Sequence, residues 1–264
     1  MHVAIVTGSN HGIGAAVARA LAADGVAVVC AYWVIHDEVD PGIPDAYRVN
    51  RVLDGDPVVS AIRDAAGRAV AVSADLRDPA TPAALFDAAE REFGPVDILV
   101  NNATGWVADT FKPADTDRLG RGLRQVSHET FGQQFGVDAM APALLIAEFA
   151  RRHAARGGTW GRIVGLHSGG ELGFPEEVSY GAAKAAQQNY TMSAAVELAP
   201  YGVTANMLHP PVTDTGWVTD PVRAFVAEST GLVHVATPDE VAEVVAFLCS
   251  DRGRLVTGNT ITLR

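Results

Sequence analysis

Short apolar runs recur along the chain, at 3–6, 26–31, 69–73, 97–100, 162–166, 203–208 and 259–263. The longer ones lack polar alternation, which predicts strands buried on both faces. Between them, apolar positions fall at helical spacing near 13–23, 57–66, 80–92, 128–155, 179–198, 221–229 and 238–250. Strands alternating with helices predict βαβ units. The expected architecture is α/β: about seven parallel strands in one doubly wound sheet with helices on both faces, forming a single domain over 1–264. Segments 36–56 and 104–127 are rich in Asp, Gly and Pro and read as surface loops.

Composition fits that picture. Of 264 residues, 48% are hydrophobic, enough for a large core. A net charge of −11 argues against nucleic acid or an anionic membrane as partner. No apolar run reaches membrane-spanning length, and no charged segment leads into a secretory-type apolar one. Cys30 falls in an apolar strand and Cys249 near a helix end, which predicts two buried thiols in a reducing, cytoplasmic compartment.

The first strand runs into Thr7-Gly8-Ser9-Asn10-His11-Gly12-Ile13-Gly14 and then into a helical stretch. Glycines let a backbone turn tightly and approach a pyrophosphate, and a helix N-terminus offers free N–H groups to an anion. The spacing is G-x-x-x-G-x-G rather than G-x-G-x-x-G. A second feature lies far downstream. Tyr180 and Lys184 stand one helical turn apart on one face, with Ser168 twelve residues upstream. Lys112 and Lys184 are the only lysines among 20 basic residues. Free tyrosine titrates near about 10, and an ammonium beside it together with a positively charged bound ligand favours phenolate, so the expectation is a lowered Tyr180. Such a phenol can pass a proton to a carbonyl oxygen while Ser168 donates a hydrogen bond to it.

Together these residues resemble the short-chain dehydrogenase/reductase family over nearly the whole chain. Thr7 to Gly14 looks like its cofactor loop, Asp75-Leu76 like its adenine-contacting pair and Asn101-Asn102-Ala103 like its N-N-A-G segment. Gly161 to Ser168 resembles the strand that ends in the catalytic serine, and Tyr180 and Lys184 match Y-x-x-x-K. His209 to Thr215 is similar to the segment at the nicotinamide end. The resemblance implies a Rossmann-type sheet and a hydride transfer between NAD(P)(H) and a small-molecule carbonyl or alcohol. A ketone reductase, an alcohol dehydrogenase and a 3-oxoacyl-type reductase all fit. It implies catalytic roles for Ser168, Tyr180 and Lys184, with Asp138 where the family's catalytic asparagine is expected. It implies cofactor contacts from Gly8, Asn10, His11, Gly12, Ile13, Gly14, Tyr32, Trp33, Asp75, Leu76, Asn102, Ala103, Thr104, Tyr180, Lys184, Pro210, Thr213 and Thr215. It also implies a homotetramer or homodimer, with helices 128–155 and 179–198 in the interface.

Three positions depart from the family pattern. Thr104 and Pro211 replace glycines, and Asp138 replaces the asparagine. These departures keep a rival open, a cofactor-binding sensor or scaffold with a weakened site. Asp138 is expected to reach Lys184 through a water. Tyr32 and Trp33 end the second strand with neither the acid of NAD-preferring relatives nor the base of NADP-preferring ones. His11 is weakly basic, Asp37 and Glu38 would repel a 2′-phosphate, and Arg48 or Arg51 would attract one; the balance favours NADP(H). Trp106, Phe111, Leu172, Phe174, Trp217 and Phe225 lie in loops that either roof an apolar or aromatic ketone or pack those loops down. His128, His167 and His209 lack metal-ligand spacing, so no metal is expected, and His167 reads as a pocket wall.

Overall fold

A computed structural model describes residues 2–40, 42–170 and 172–264. Seven parallel strands form one sheet. They are β1 (Val3–Thr7), β2 (Ala27–Tyr32), β3 (Arg68–Ser73), β4 (Ile98–Asn101), β7 (Gly161–Leu166), β8 (Val203–His209) and β9 (Thr260–Thr262). Their order is β3-β2-β1-β4-β7-β8-β9. The expected strands all appear, within one or two residues of their predicted ends.

The period-2 geometry of each strand splits its apolar residues between two cores. Ala4, Val6, Ile98, Val100, Val164 and Leu166 face α1 (Gly12–Ala23), α3 (Asp56–Asp64) and α9 (Pro238–Leu248). Val3, Ile5, Leu99, Ile163 and Ala205 face α4 (Thr81–Glu92), α6 (Ala141–Ala155) and α7 (Val178–Glu197). Burial on both faces explains why β1, β2 and β4 carry unbroken apolar runs. Gly202 introduces β8 with φ of 72°, and a side chain there would run into the Thr159 carbonyl oxygen.

Three regions differ from the sequence reading. Segment 36–56 is not all loop, because Asp45–Arg51 forms α2 and buries Arg51. Segment 104–127 carries a small parallel pair, β5 (Asp109–Thr110) with β6 (Arg124–Gln125), and buries Asp109 and Asp117. The helix expected over 128–155 is α5 (His128–Phe135), a π turn (Gly136–Met140) and α6. Pro142 accounts for the break: its ring has no N–H for the preceding turn and crowds the carbonyl four residues back. The helix expected near 221–229 is α8 (Asp220–Glu228), between β8 and α9.

The fold places the strand ends at a switch. β1 sits between β2 and β4, so successive connections leave it in opposite directions and open a crevice at its carboxyl end. Gly202→Ala forces a left-handed alanine, which costs about 1–2 kcal/mol from the backbone alone, before the clash. A urea melt should show at least that loss, with an unchanged m-value.

Candidate active site

The crevice is stitched together by Thr7 and Asn102. Thr7 Oγ1 accepts from the backbone N–H groups of Asn102 at 3.0 Å and Ala103 at 3.1 Å. The Asn102 amide donates to the Thr7 and Gly8 carbonyls at 2.9 and 3.0 Å. Packing is so close that a side chain on Gly14 would overlap the Gly8 carbonyl. Gly8 itself needs φ of 65°. At the start of α1, His11 makes no side-chain cap and no acid occupies the first turn. The helix therefore presents its positive end and free N–H groups to the cleft.

One continuous cleft is lined by Gly8, Asn10, His11, Gly12, Ile13, Tyr32, Trp33, Asp75, Leu76, Asn102, Ala103, Thr104, Ser168, Tyr180, Lys184, Pro210, Thr213 and Thr215. Of the sequence-predicted residues, Gly14 lies beneath the loop and Asp138 behind Lys184, outside that lining. Burial, aided by Arg51, pushes His11 down to about 4, so it is neutral at physiological pH and offers no charge to a phosphate. Arg77 holds the Asp75 carboxyl below its usual range through a paired contact of 2.7–3.0 Å. Among the described residues only Ala66 and Glu176 are non-glycines with positive φ, so Thr104 fits its position without backbone strain.

Helix α7 carries Tyr180 and Lys184, and its start is fixed from afar. Asp109 accepts from the Ser179 backbone N–H at 2.8 Å and from its hydroxyl at 2.5 Å. This carboxylate satisfies the exposed end of the helix and suits its dipole. Glu177, one turn end away from Tyr180, takes Arg121 at 2.7 Å and the Trp106 indole N–H at 2.9 Å. Glu176 stands at φ of 70° and is anchored by Lys112 at 2.6 Å. Phe174 packs on Tyr180 with ring centroids 5.8 Å apart, over the bare face of Gly181.

Lys184 and Asp138 form a direct ion pair at 3.0 Å, 2% and 0% exposed. No water stands between them, which corrects the expected bridged contact. Asp138 Oδ2 is held by the Gln134 amide at 2.6 Å and the Gly105 N–H at 2.8 Å. The Lys184 ammonium also donates to Gln187 at 3.1 Å. Tyr180 is pushed up, not down, first by burial and next by the Asp138 charge, while a hydrogen bond from Ser168 acts the other way. Burial outweighs the expected lowering by Lys184, whose ammonium also faces the Asp138 carboxylate.

The roof is partly as expected. Trp106, Phe174 and Trp217 line the cleft, whereas Phe111, Leu172 and Phe225 project into solvent. His167 lines it too, pushed down to about 4 mainly by burial. Arg51, weighed for a 2′-phosphate, lines it as well, and Tyr47, Arg121 and Glu177 also line it and were missed. Nothing local marks them, since each acts from a segment that reads as a loop or a helix edge.

Comparison with known proteins agrees with this geometry. Residues 48–263 match the family model described as enoyl-(acyl carrier protein) reductase. The chain is 37% identical to a cis-4-hydroxycyclohexanecarboxylate dehydrogenase of Sinomonas cyclohexanicum, over 97% of this chain and 92% of the relative. The chain belongs to the short-chain dehydrogenase/reductase family. It is thus an oxidoreductase acting on the CH–OH/C=O pair. Two solved members superpose with TM-scores of 0.80. One is a short-chain dehydrogenase from Burkholderia cenocepacia J2315 in complex with NADP, 29% identical, covering 99% of this chain and 96% of that one. The other is a blue fluorescent protein from a metagenomic library in complex with NADPH, 30% identical, with the same coverage.

The dinucleotide of this short-chain dehydrogenase/reductase fits the residues present. The close glycine cradle, the uncapped start of α1 and the buried, unpartnered His11 Nδ1 and Thr104 Oγ1 all border the cleft. Gly14→Ala must move the Gly8 backbone. It should raise the dinucleotide Kd at least about tenfold, or about 1.4 kcal/mol, by calorimetry.

Proposed function

We propose that the protein is an NADP(H)-dependent reductase of apolar or aromatic ketones, acting through Ser168, Tyr180 and Lys184. The observation that carries this reading is the convergence of those three side chains with the glycine loop along one cleft. A bound nicotinamide cofactor supplies the hydride. The loop Gly8 to Gly14 holds its pyrophosphate by backbone N–H groups, and Asp75 and Leu76 border the adenine. Asn102, Ala103, Thr104, Pro210, Thr213 and Thr215 line the nicotinamide end. Contacts to Asp138 and Gln187 leave the three-donor ammonium of Lys184 with capacity for a ribose hydroxyl.

Tyr180 gives its proton to the carbonyl oxygen, and Ser168 donates a hydrogen bond to the same atom as negative charge grows there. NADP(H) is favoured because Tyr32 ends β2 without a carboxylate for the 2′-hydroxyl, and Asp37 is already paired to Arg51 at 3.1 Å. The NADP-bound neighbours support the same choice. The substrate is a neutral one: Glu177 and Arg121, two of the charged residues in the cleft, satisfy each other, and Tyr47, Trp106, Phe174 and Trp217 line the cleft with them.

The reading includes one domain over 1–264, a cytoplasmic setting and a homodimer or homotetramer. Unpaired, buried Cys30 and Cys249 support a reducing compartment. Tyr190 and Val196 stay exposed on α7 and suit an interface, and light scattering would give the assembly size.

An assay of NADPH consumption over a panel of cyclic, aryl and 3-oxoacyl ketones tests the activity. Tyr180→Phe should cut kcat at least about a hundredfold while the NADPH Kd stays within about threefold. Retained turnover in that variant rules out the proton-donor role. Cofactor binding without turnover on any ketone favours the sensor reading.

A further inference from the structure

Residues 42–53, built around α2, bridge the mouth of the cleft. We propose, resting on the cofactor role assigned above, that they form a strap which must release before NADP(H) enters or leaves. The strap thereby gates both binding and release of the cofactor.

Three separate segments hold it. Tyr47 stands edge-on to His11 of the glycine loop, with ring centroids 6.2 Å apart. The strap passes close over Gly216, where a side chain would come within 2.8 Å of the Asn50 amide nitrogen and 3.2 Å of the Tyr47 backbone nitrogen. Asn50 also donates to the Thr215 carbonyl at 3.1 Å. At the other end, a side chain on Gly42 would overlap the Gly120 carbonyl. The strap thus touches the segments that follow β1, β4 and β8, which surround the crevice at the switch of the sheet. Gly42, Ile43, Pro44, Tyr47 and Arg51 line the cleft, while Asp45, Ala46 and Val49 are exposed.

The strap is attached without belonging to either core. None of its residues joins the two apolar clusters that flank the sheet. Helix α2 has seven residues and buries only Arg51. So short a helix is marginal in water by itself, so its surroundings must hold it. Those contacts are mainly polar. Arg51 pairs with Asp37 at 3.1 Å, and its carbonyl accepts from the Ile35 N–H at 3.0 Å. The Leu53 carbonyl accepts from the Asn10 amide at 2.8 Å. These bonds pin the end near Leu53 as a hinge, and Asn50 and Gly42 hold the free side as a latch. Segments with few apolar contacts open locally at far lower cost than a buried sheet.

Every one of these anchors joins protein to protein. None needs a ligand, so the same release precedes entry and exit. With the strap in place the cleft keeps about 1310 Å³, above the range of about 300–1,000 Å³ usual for ligand pockets. A closed strap therefore leaves room for a dinucleotide.

The test is binding kinetics on the whole protein, with no turnover needed. NADPH association and dissociation are followed by stopped-flow nicotinamide fluorescence in wild type, Asn50→Ala and Val49→Ala. Asn50 does not line the cleft, so its loss loosens the latch and leaves the cofactor contacts in place. Loss of that one hydrogen bond should raise kon and koff together, about three- to tenfold, while Kd stays within about threefold. Val49→Ala, on the exposed face of α2, should leave both rates where they are. A lock gives the opposite sign. Asp40 accepts from the Gly122 N–H at 2.8 Å just before the strap, and a Cβ on Gly122 would lie 3.7 Å from the Asp40 Cγ. Cysteines at both positions are close enough for a disulfide. In Asp40→Cys/Gly122→Cys, oxidation should slow both rates and dithiothreitol should restore them.

Rates that stay in place in Asn50→Ala overturn the proposal, as does an oxidised double cysteine that binds as fast as the reduced one. A rise in koff alone overturns it too, since that pattern marks a residue that touches the cofactor directly. Failure to bind either NADPH or NADH overturns the strap and the proposed function together. If the rates move as expected but no carbonyl turns over, the strap stands and the ketone reductase reading fails. If ketones turn over and the rates do not move, the function stands and the strap fails.

Discussion

A buried ammonium is the constraint around which this cleft is organised. Lys184 lies among the largest fully buried side chains of the molecule. Removing such an ion from water costs several kcal/mol unless a counter-charge and hydrogen bonds replace the solvent. Asp138 supplies the charge and Gln187 a hydrogen bond. Asp138 in turn needs donors, and Gln134 and Gly105 provide them. The π turn is the backbone form that brings this carboxylate inward. Its neighbour Pro142 makes a regular helix there unfavourable. Charge, helix irregularity and loop backbone thus form one interdependent unit.

The same unit reaches the surface loops. Gln134 also accepts from the Val107 N–H at 3.1 Å, and Gln133 donates to the Gly105 carbonyl at 2.9 Å. Segment 104–110 is therefore tied to α5, and through Asp109 to the start of α7. Farther out, Asp40 accepts from the Gly122 N–H at 2.8 Å, and Gly42 packs against the Gly120–Arg121 backbone. The connection after β2 thereby meets the connection after β4 across the cleft. Asn50 on α2 also donates to the Thr215 carbonyl at 3.1 Å, joining a third segment to the cover. The cleft is walled by these three connections, and burial is the main cause that pushes Tyr180 up.

The sheet sets the stage for this chemistry. Parallel strands send all their connections out of the same edge, so residues from 7 to 215 meet at one rim. Thr7 and Asn102 bind the two strands at the switch, which fixes the glycine loop relative to the residues after β4. Arg152 adds rigidity on the far side by joining α6 to α4 through Asp87 and Glu90, both at 2.6 Å.

Much of this was legible in the chain. All seven sheet strands were found: burial leaves unbroken apolar runs in β1, β2 and β4, and shorter apolar runs mark the rest. The glycine loop announced itself because a side chain at Gly8, already at φ of 65°, would press on Ala103, and one at Gly14 would overlap the Gly8 carbonyl. Tyr180 and Lys184 were found because helical spacing is a local property. The sequence alone did not reveal α2, the role of Asp109 or the Arg121–Glu177 pair. The last two depend on contacts between residues 56 to 70 positions apart and α2 on the Asn50–Thr215 bond across 165 positions, for which no local pattern exists. Burial, and after it Asp138, also pushes Tyr180 the other way from the lowering that its spacing to Lys184 suggests. Spacing says that an ammonium is near a phenol, but only the tertiary structure says which other charge that ammonium already faces. Local periodicity determines which residues are buried and which share a face; the folded chain decides which buried charges meet, and their pairing sets the chemistry.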